Sequence, residues 1–99
     1  MRVIGYEALR EFMKTHRDAE PPLTVWYTTT ANAVWTSIVD VRQTYPHADA
    51  VGTCTVFNVK GNRYRLIAKI DYGKQAVFVA GILTHADYDK EKWKRLCGD

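Results

Sequence analysis

The sequence predicts an α+β fold of order β-α-α-β-β-β-α: an antiparallel β-sheet core with two N-terminal helices and a C-terminal helix. Three observations predict it. An apolar stripe at helical spacing runs from Tyr6 to His16. Two alternating segments meet at a Lys-Gly-Asn turn. A run that is apolar on both faces then leads into a capped helix. Ninety-nine residues can hold one core, and a 46% hydrophobic fraction can fill it, so residues 1–99 are expected to form one domain.

Taken in order, Arg2-Val3-Ile4 is a short strand ended by Gly5. Tyr6, Leu9, Phe12 and Met13 share one face of a helix reaching His16. Asp18-Ala19-Glu20-Pro21-Pro22 breaks that helix, and Pro22 suits the first turn of a second one running to Ser37. Its stripe is Leu23, Trp26, Thr30 and Val34, in spite of the β-branched run Thr28-Thr29-Thr30. Ile38 to Ala50 is expected to be an irregular connection that can include a helical turn, stopped at Tyr45-Pro46.

The second half alternates more strictly. Thr53, Thr55, Phe57 and Val59 share one strand face; Cys54, Val56 and Asn58 share the other. Lys60-Gly61-Asn62 forms a turn in which glycine and asparagine tolerate positive φ. Arg63 to Tyr72 is the next strand, with Tyr64, Leu66, Ala68, Ile70 and Tyr72 on one face and Arg63, Arg65, Ile67, Lys69 and Asp71 on the other. After Gly73-Lys74-Gln75, Ala76 to Leu83 is apolar throughout, as in a strand covered on both sides. Thr84 caps the last helix, Asp87 completes a capping box, and His85, Tyr88 and Lys92 lie along one side of it. Trp26 and Trp35 are expected in the core, and Trp93 as an anchor of the last helix on the sheet.

No apolar run approaches the roughly 20 residues of a membrane span, and nothing after Met1 reads as a signal peptide. A cytoplasmic protein is expected. Cys54 and Cys97 lack CxxC spacing and are expected to be reduced thiols. The three histidines show no ligand spacing, so no metal and no cofactor are expected, and His16 and His47 are expected at the surface.

The net charge of +3 is unevenly spread. Residues 1–59 carry five Lys/Arg against six Asp/Glu, whereas residues 60–99 carry nine against five. Arg63, Arg65 and Lys69 are expected on one side of their strand, with Asn58 and Lys60 near the turn. Guanidinium groups bind phosphate oxygens bidentately, so this side suits a nucleic-acid backbone. From pattern alone, a solvated sheet face is the simpler reading. His85, in the first turn of a helix that follows a strand, can exchange protons near neutral pH where phosphate is attracted. Its plain alternative is a partly buried cap, and that of Tyr88 is a core aromatic.

Two segments then change the balance. Val56-Phe57-Asn58-Val59-Lys60-Gly61-Asn62-Arg63-Tyr64-Arg65-Leu66-Ile67, followed by Thr84-His85-Ala86-Asp87-Tyr88-Asp89, resembles the HigB-type toxins of bacterial toxin–antitoxin systems. A looser similarity extends back through Trp35 and Val41-Arg42 to Tyr45-Pro46. The resemblance implies a RelE-like fold and metal-independent cleavage of messenger RNA, in many relatives on the ribosome. It also implies a HigA-like helix-turn-helix antitoxin as partner. Under it Arg65, Lys60, His85 and Tyr88 form the catalytic set: Arg65, with Lys60 and Lys69, for the phosphate, His85 as acid or base, Tyr88 as helper. Asn58 and Asn62 are expected to shape the hairpin or contact RNA, and Arg63, Lys69 and Lys92 to contact RNA. In some relatives the key histidine or tyrosine stands at the extreme C-terminus, whereas here a charged helix follows His85. The competing reading is a non-catalytic RNA- or ribosome-binding module using the same hairpin.

Overall fold

A computed structural model describes residues 1–98. Its centre is a mixed sheet of five strands in the order β1-β5-β4-β3-β2. The strands are β1 (Arg2–Ile4), β2 (Asp49–Val51), β3 (Cys54–Val59), β4 (Tyr64–Asp71) and β5 (Ala76–Thr84). β2 to β5 are antiparallel neighbours, and β1 lies parallel to β5. Asn58 faces Arg65 across the β3–β4 ladder, and Tyr64 faces Thr84 across the β4–β5 ladder. Ile67 pairs with Gly81 and Ala68 with Val79, which leaves Ala80 as a one-residue bulge.

Among the described residues four α-helices accompany the sheet: α1 (Tyr6–Thr15), α2 (Glu20–Ala31), α3 (Ile38–Thr44) and α4 (His85–Asp89). α1 enters directly from β1 through Gly5, whose φ of +92° and closeness to Val79 disfavour a side chain: a Cβ there would lie 3.0 Å from the Val79 carbonyl oxygen. α2 starts at Glu20 with Pro21 and Pro22 in its first turn, where missing N–H groups are tolerated. It stops at Ala31, well short of Ser37, as the Asn32 side chain donates to the Thr28 carbonyl. Trp35 is therefore not helical, yet it is buried, and Val34 is exposed.

Two elements correct the expected order. α3 is a seven-residue helix where at most a helical turn within an irregular connection was expected, capped by the Ser37 hydroxyl on the Val39 N–H and braced by Asp40, which accepts from Thr36 N–H and Oγ1. β2 adds a fifth strand of three residues, too short and too polar at Asp49 to register as alternation.

The two faces of the sheet are covered differently, as the alternation of β3 and β4 requires. Phe57, Val59, Tyr64, Leu66 and Ala68 meet Leu9, Leu23, Trp26, Trp35 and Val41 in the larger core. Phe57 is its aromatic centre, with ring centroids of Tyr45, Trp26 and Trp35 at 5.1, 5.5 and 6.4 Å. Burying each such side chain contributes roughly 1.5–3 kcal/mol. On the other face Cys54, Val56 and Ile67 are covered by Trp93 and Cys97, from a 3-10 segment at Lys92–Cys97. Here the expectation of two reduced thiols fails. Cys54 and Cys97 are joined by a disulfide, with Cα atoms 5.1 Å apart. Strand alternation turns Cys54 to this face, and the 3-10 turn lays Cys97 upon it. Among the described residues no helix is long and apolar enough to cross a membrane.

Candidate active site

The β3–β4 hairpin closes over residues 60–63, with the Arg63 N–H donating to the Lys60 carbonyl at 3.2 Å. Positive φ falls on Lys60 (53°) and Gly61 (63°), not on Asn62 as expected. A lysine in the left-handed region is disfavoured, so something must hold it there. Asp18, in the turn between α1 and α2, supplies the hold. Its Oδ2 accepts from Arg63 Nη1 at 2.7 Å and from Lys60 Nζ at 3.1 Å, and its Oδ1 accepts from the Tyr64 hydroxyl at 2.5 Å. The Tyr64 hydrogen bond first, then Arg63 and Lys60, hold the Asp18 carboxyl well below the usual carboxylate range. Conversely, Asp18 pushes the Tyr64 hydroxyl up.

The basic row read from the sequence is thus divided. Arg63 lies in the turn rather than in the strand, and it and Lys60 are ion-paired to Asp18. Arg65 instead is half-buried on the sheet face that carries Ile67. Its guanidinium carbon sits 5.1 Å from the centroid of the Tyr88 ring, a cation–π contact. Its Nη2 donates to Asn62 Oδ1 and its Nη1 to the Tyr64 carbonyl, both at 3.2 Å. Among the described residues no carboxylate pairs with Arg65. The remaining N–H groups are available to an anion.

Tyr88 is itself held. The Trp93 ring stacks on it at 4.9 Å and 12°, and Trp93 Nε1 donates to the Tyr88 carbonyl at 2.9 Å. That arrangement requires the last helix to stop early. α4 ends at Asp89, Glu91 takes a left-handed φ of 61°, and the chain turns back as the 3-10 segment. Lys92 is therefore not on the helix of His85 and Tyr88, contrary to the expected i, i+7 spacing. The expected cap is present: Thr84 Oγ1 accepts from the Asp87 N–H at 3.2 Å.

His85 opens α4, and its backbone N–H donates to the Arg63 carbonyl at 3.0 Å, which ties the helix start to the hairpin. Its Nε2 lies 3.3 Å from Asp89 Oδ2, and both side chains are more than half exposed. Lys69 and Lys92 are exposed. His16 is half-buried, stacked on Phe12, while His47 is at the surface as expected. Yet His47 is not remote from the hairpin. With Asn58, Gly61 and Asn62 it lines a cleft of about 510 Å³. Sequence reasoning missed Asp18 and His47 as neighbours of the site because each reaches it from another segment, and Trp93, five positions after Tyr88, because one continuous helix was expected there. Among the described residues no three His, Cys, Asp or Glu side chains converge as metal ligands would.

No curated protein matches the chain. A family model does, over residues 19–91, which span Asn58, Asn62, Arg65, His85 and Tyr88. The mixed α+β architecture with a five-stranded sheet is compatible with a RelE-like fold. The chain belongs to the HigB toxin family, the RelE-like toxic component of a toxin–antitoxin system.

Proposed function

We propose that this toxin cleaves messenger RNA without a metal, and that Arg65 holds the scissile phosphate. The observation that carries this reading is the state of Arg65: it is fixed by Tyr88 and Asn62, paired with no carboxylate among the described residues, and one strand residue from the hairpin end where His85 begins α4. A guanidinium held over an aromatic ring, with one donor each on Asn62 and the Tyr64 carbonyl, keeps its remaining N–H groups for phosphate oxygens.

In the reaction, the ribose 2′-oxygen bonds to phosphorus and the bond from phosphorus to the 5′-oxygen breaks. One proton leaves the 2′-hydroxyl and one arrives at the departing 5′-oxygen. Arg65 neutralises the charge that builds on the phosphoryl oxygens, and His85 exchanges a proton with one of the two ribose oxygens, oriented by Asp89. Tyr88 supports Arg65 from below. Lys60 and Arg63 together outweigh the single charge of Asp18, so the hairpin tip keeps a net positive charge for flanking phosphates. Asn58, Lys69 and Lys92 extend the RNA track.

A specific observation favours a second assignment of the proton-transfer group. His47 lines the cleft with Asn58 and Asn62, and Asn62 is the residue that orients Arg65. His85→Ala and His47→Ala separate the two histidines.

A toxin of this family implies an antitoxin partner, and we infer that it is a HigA-like helix-turn-helix protein and that the ribosome presents the mRNA. The test is mapping of mRNA 5′ ends after incubation with purified protein, with and without ribosomes. Wild type should generate new ends, and Arg65→Ala should lower the rate by about 100-fold or more, the usual loss when one transition-state donor is removed. Translation arrest without new ends would instead mark a non-catalytic ribosome-binding module.

A further inference from the structure

We propose that Trp93 is a positioning residue for Arg65, clamped by the Cys54–Cys97 disulfide, so that oxidation of these thiols switches the toxin to its more active form. The inference rests on the assignment of Arg65 to the phosphate.

The 3-10 segment Lys92–Cys97 has little intrinsic reason to persist. It follows a five-residue helix, starts at a left-handed Glu91, and lacks a side-chain cap. Short 3-10 runs have poor hydrogen-bond geometry and need outside support. That support comes from the burial of Trp93 and its contacts with Tyr88, from the Thr53 N–H donating to the Cys97 carbonyl at 2.9 Å, and from the disulfide. Only the last is covalent.

From this anchor a continuous series of contacts leads to the candidate catalytic group. Cys54 holds Cys97, and Trp93 lies one turn before Cys97 in the same segment. Trp93 fixes Tyr88 twice, by ring stacking and by the bond from Nε1 to its carbonyl. Tyr88 carries the Arg65 guanidinium. An arginine free to sample its rotamers must be ordered at each turnover, whereas one held in advance is not, and small displacements of a catalytic group have large effects on rate.

The redox step balances. Two thiols lose two protons and two electrons as the S–S bond forms, and a low-molecular-weight disulfide accepts them, its own S–S bond being cleaved to two thiols by exchange. Cys54 and Cys97 are 2% and 0% exposed, so exchange requires the 3-10 segment to lift. Lifting it also withdraws Trp93 from Tyr88.

The experiment uses the full chain in glutathione disulfide or in reduced glutathione, with thiols counted by alkylation and mass spectrometry. Cleavage of ribosome-bound mRNA is followed in wild type, Trp93→Phe, Trp93→Leu, Arg65→Ala and the Cys54→Ser/Cys97→Ser double variant. Oxidised wild type should exceed reduced wild type by about tenfold in kcat with KM little changed, roughly 1.4 kcal/mol of barrier. The double variant should be slow in both buffers. Trp93→Phe, which keeps a stacking ring, should retain most of the oxidised rate, and Trp93→Leu should fall to the reduced rate while its far-UV circular dichroism stays native. Equal wild-type rates in the two buffers would overturn the proposal, as would free thiols in both or equal rates for Phe and Leu at position 93. If Arg65→Ala cleaves like wild type, the phosphate assignment fails first. If Arg65→Ala is inactive and wild type ignores the buffer, only the clamp fails.

Discussion

At the residue scale, Asp18 shows how one carboxylate decides what several cations can do. It takes Lys60, Arg63 and Tyr64, whereas Arg65, the other guanidinium of the hairpin, has no acidic partner among the described residues. The Asp18 pKa is depressed in the folded state by Tyr64, Arg63 and Lys60, so protons bind more tightly to the unfolded chain. The stability this group contributes is therefore fully present above its unfolded value of about 4 and is lost as pH falls through the lower folded value. Asp18→Asn should be less stable than wild type at neutral pH, with the gap narrowing in acid. Urea unfolding midpoints at neutral and acid pH check this; a constant gap would show that Asp18 acts by packing alone. Nothing in the sequence pairs Asp18 with Lys60, because the two are 42 positions apart and only the passage of α1 over the sheet brings them together.

At the element scale, α4 matters more than its five residues suggest, because its start sets His85 and its body sets Tyr88. Thr84→Ala removes its N-cap and should cost about 1 kcal/mol. Ser37→Ala removes the equivalent cap from α3 at a similar cost. Only the first should reduce mRNA cleavage when the two are assayed at equal folded fraction. Matched losses would mean that α4 contributes stability and nothing local to the reaction. The strands that place these groups were legible from residue type: β3 and β4 carry on each face the side chains that alternation assigns to it. α3 and β2 were not, since one is seven residues and the other three, too few for a period to emerge. The early end of α4 was invisible for another reason. Glu91 is not a residue that announces a left-handed turn, and Trp93 closing on Tyr88 is a tertiary cause.

At the scale of the whole molecule, the sheet divides the chain into a deep core on the face of α1 and α2 and a shallow one under the 3-10 segment. The shallow side is where the candidate site lies, and it is there that a covalent bond replaces apolar bulk. A disulfide closing a sequence separation of 43 residues should add about 4 kcal/mol by restricting the unfolded chain. Reduction should lower the thermal midpoint accordingly in differential scanning calorimetry, with Cys54→Ser/Cys97→Ser unaffected by reductant. An unchanged wild-type midpoint would mean that the bond does not persist in solution. The sequence motifs singled out Arg65, His85 and Tyr88 as candidates but treated both cysteines as bystanders, because the pairing depends on which face of β3 the 3-10 segment comes to rest on.

That same bond has a topological consequence. Asn58, Asn62, Arg65, Lys69, His85, Tyr88 and Lys92 all lie between Cys54 and Cys97, so in the oxidised protein every one of them belongs to a single covalent macrocycle. A protease that nicks the turn at Gly73-Lys74 would open this ring without releasing a fragment. The two parts of the candidate site would stay on one molecule, Arg65 on one side of the cut and Tyr88 on the other, tethered through sulfur.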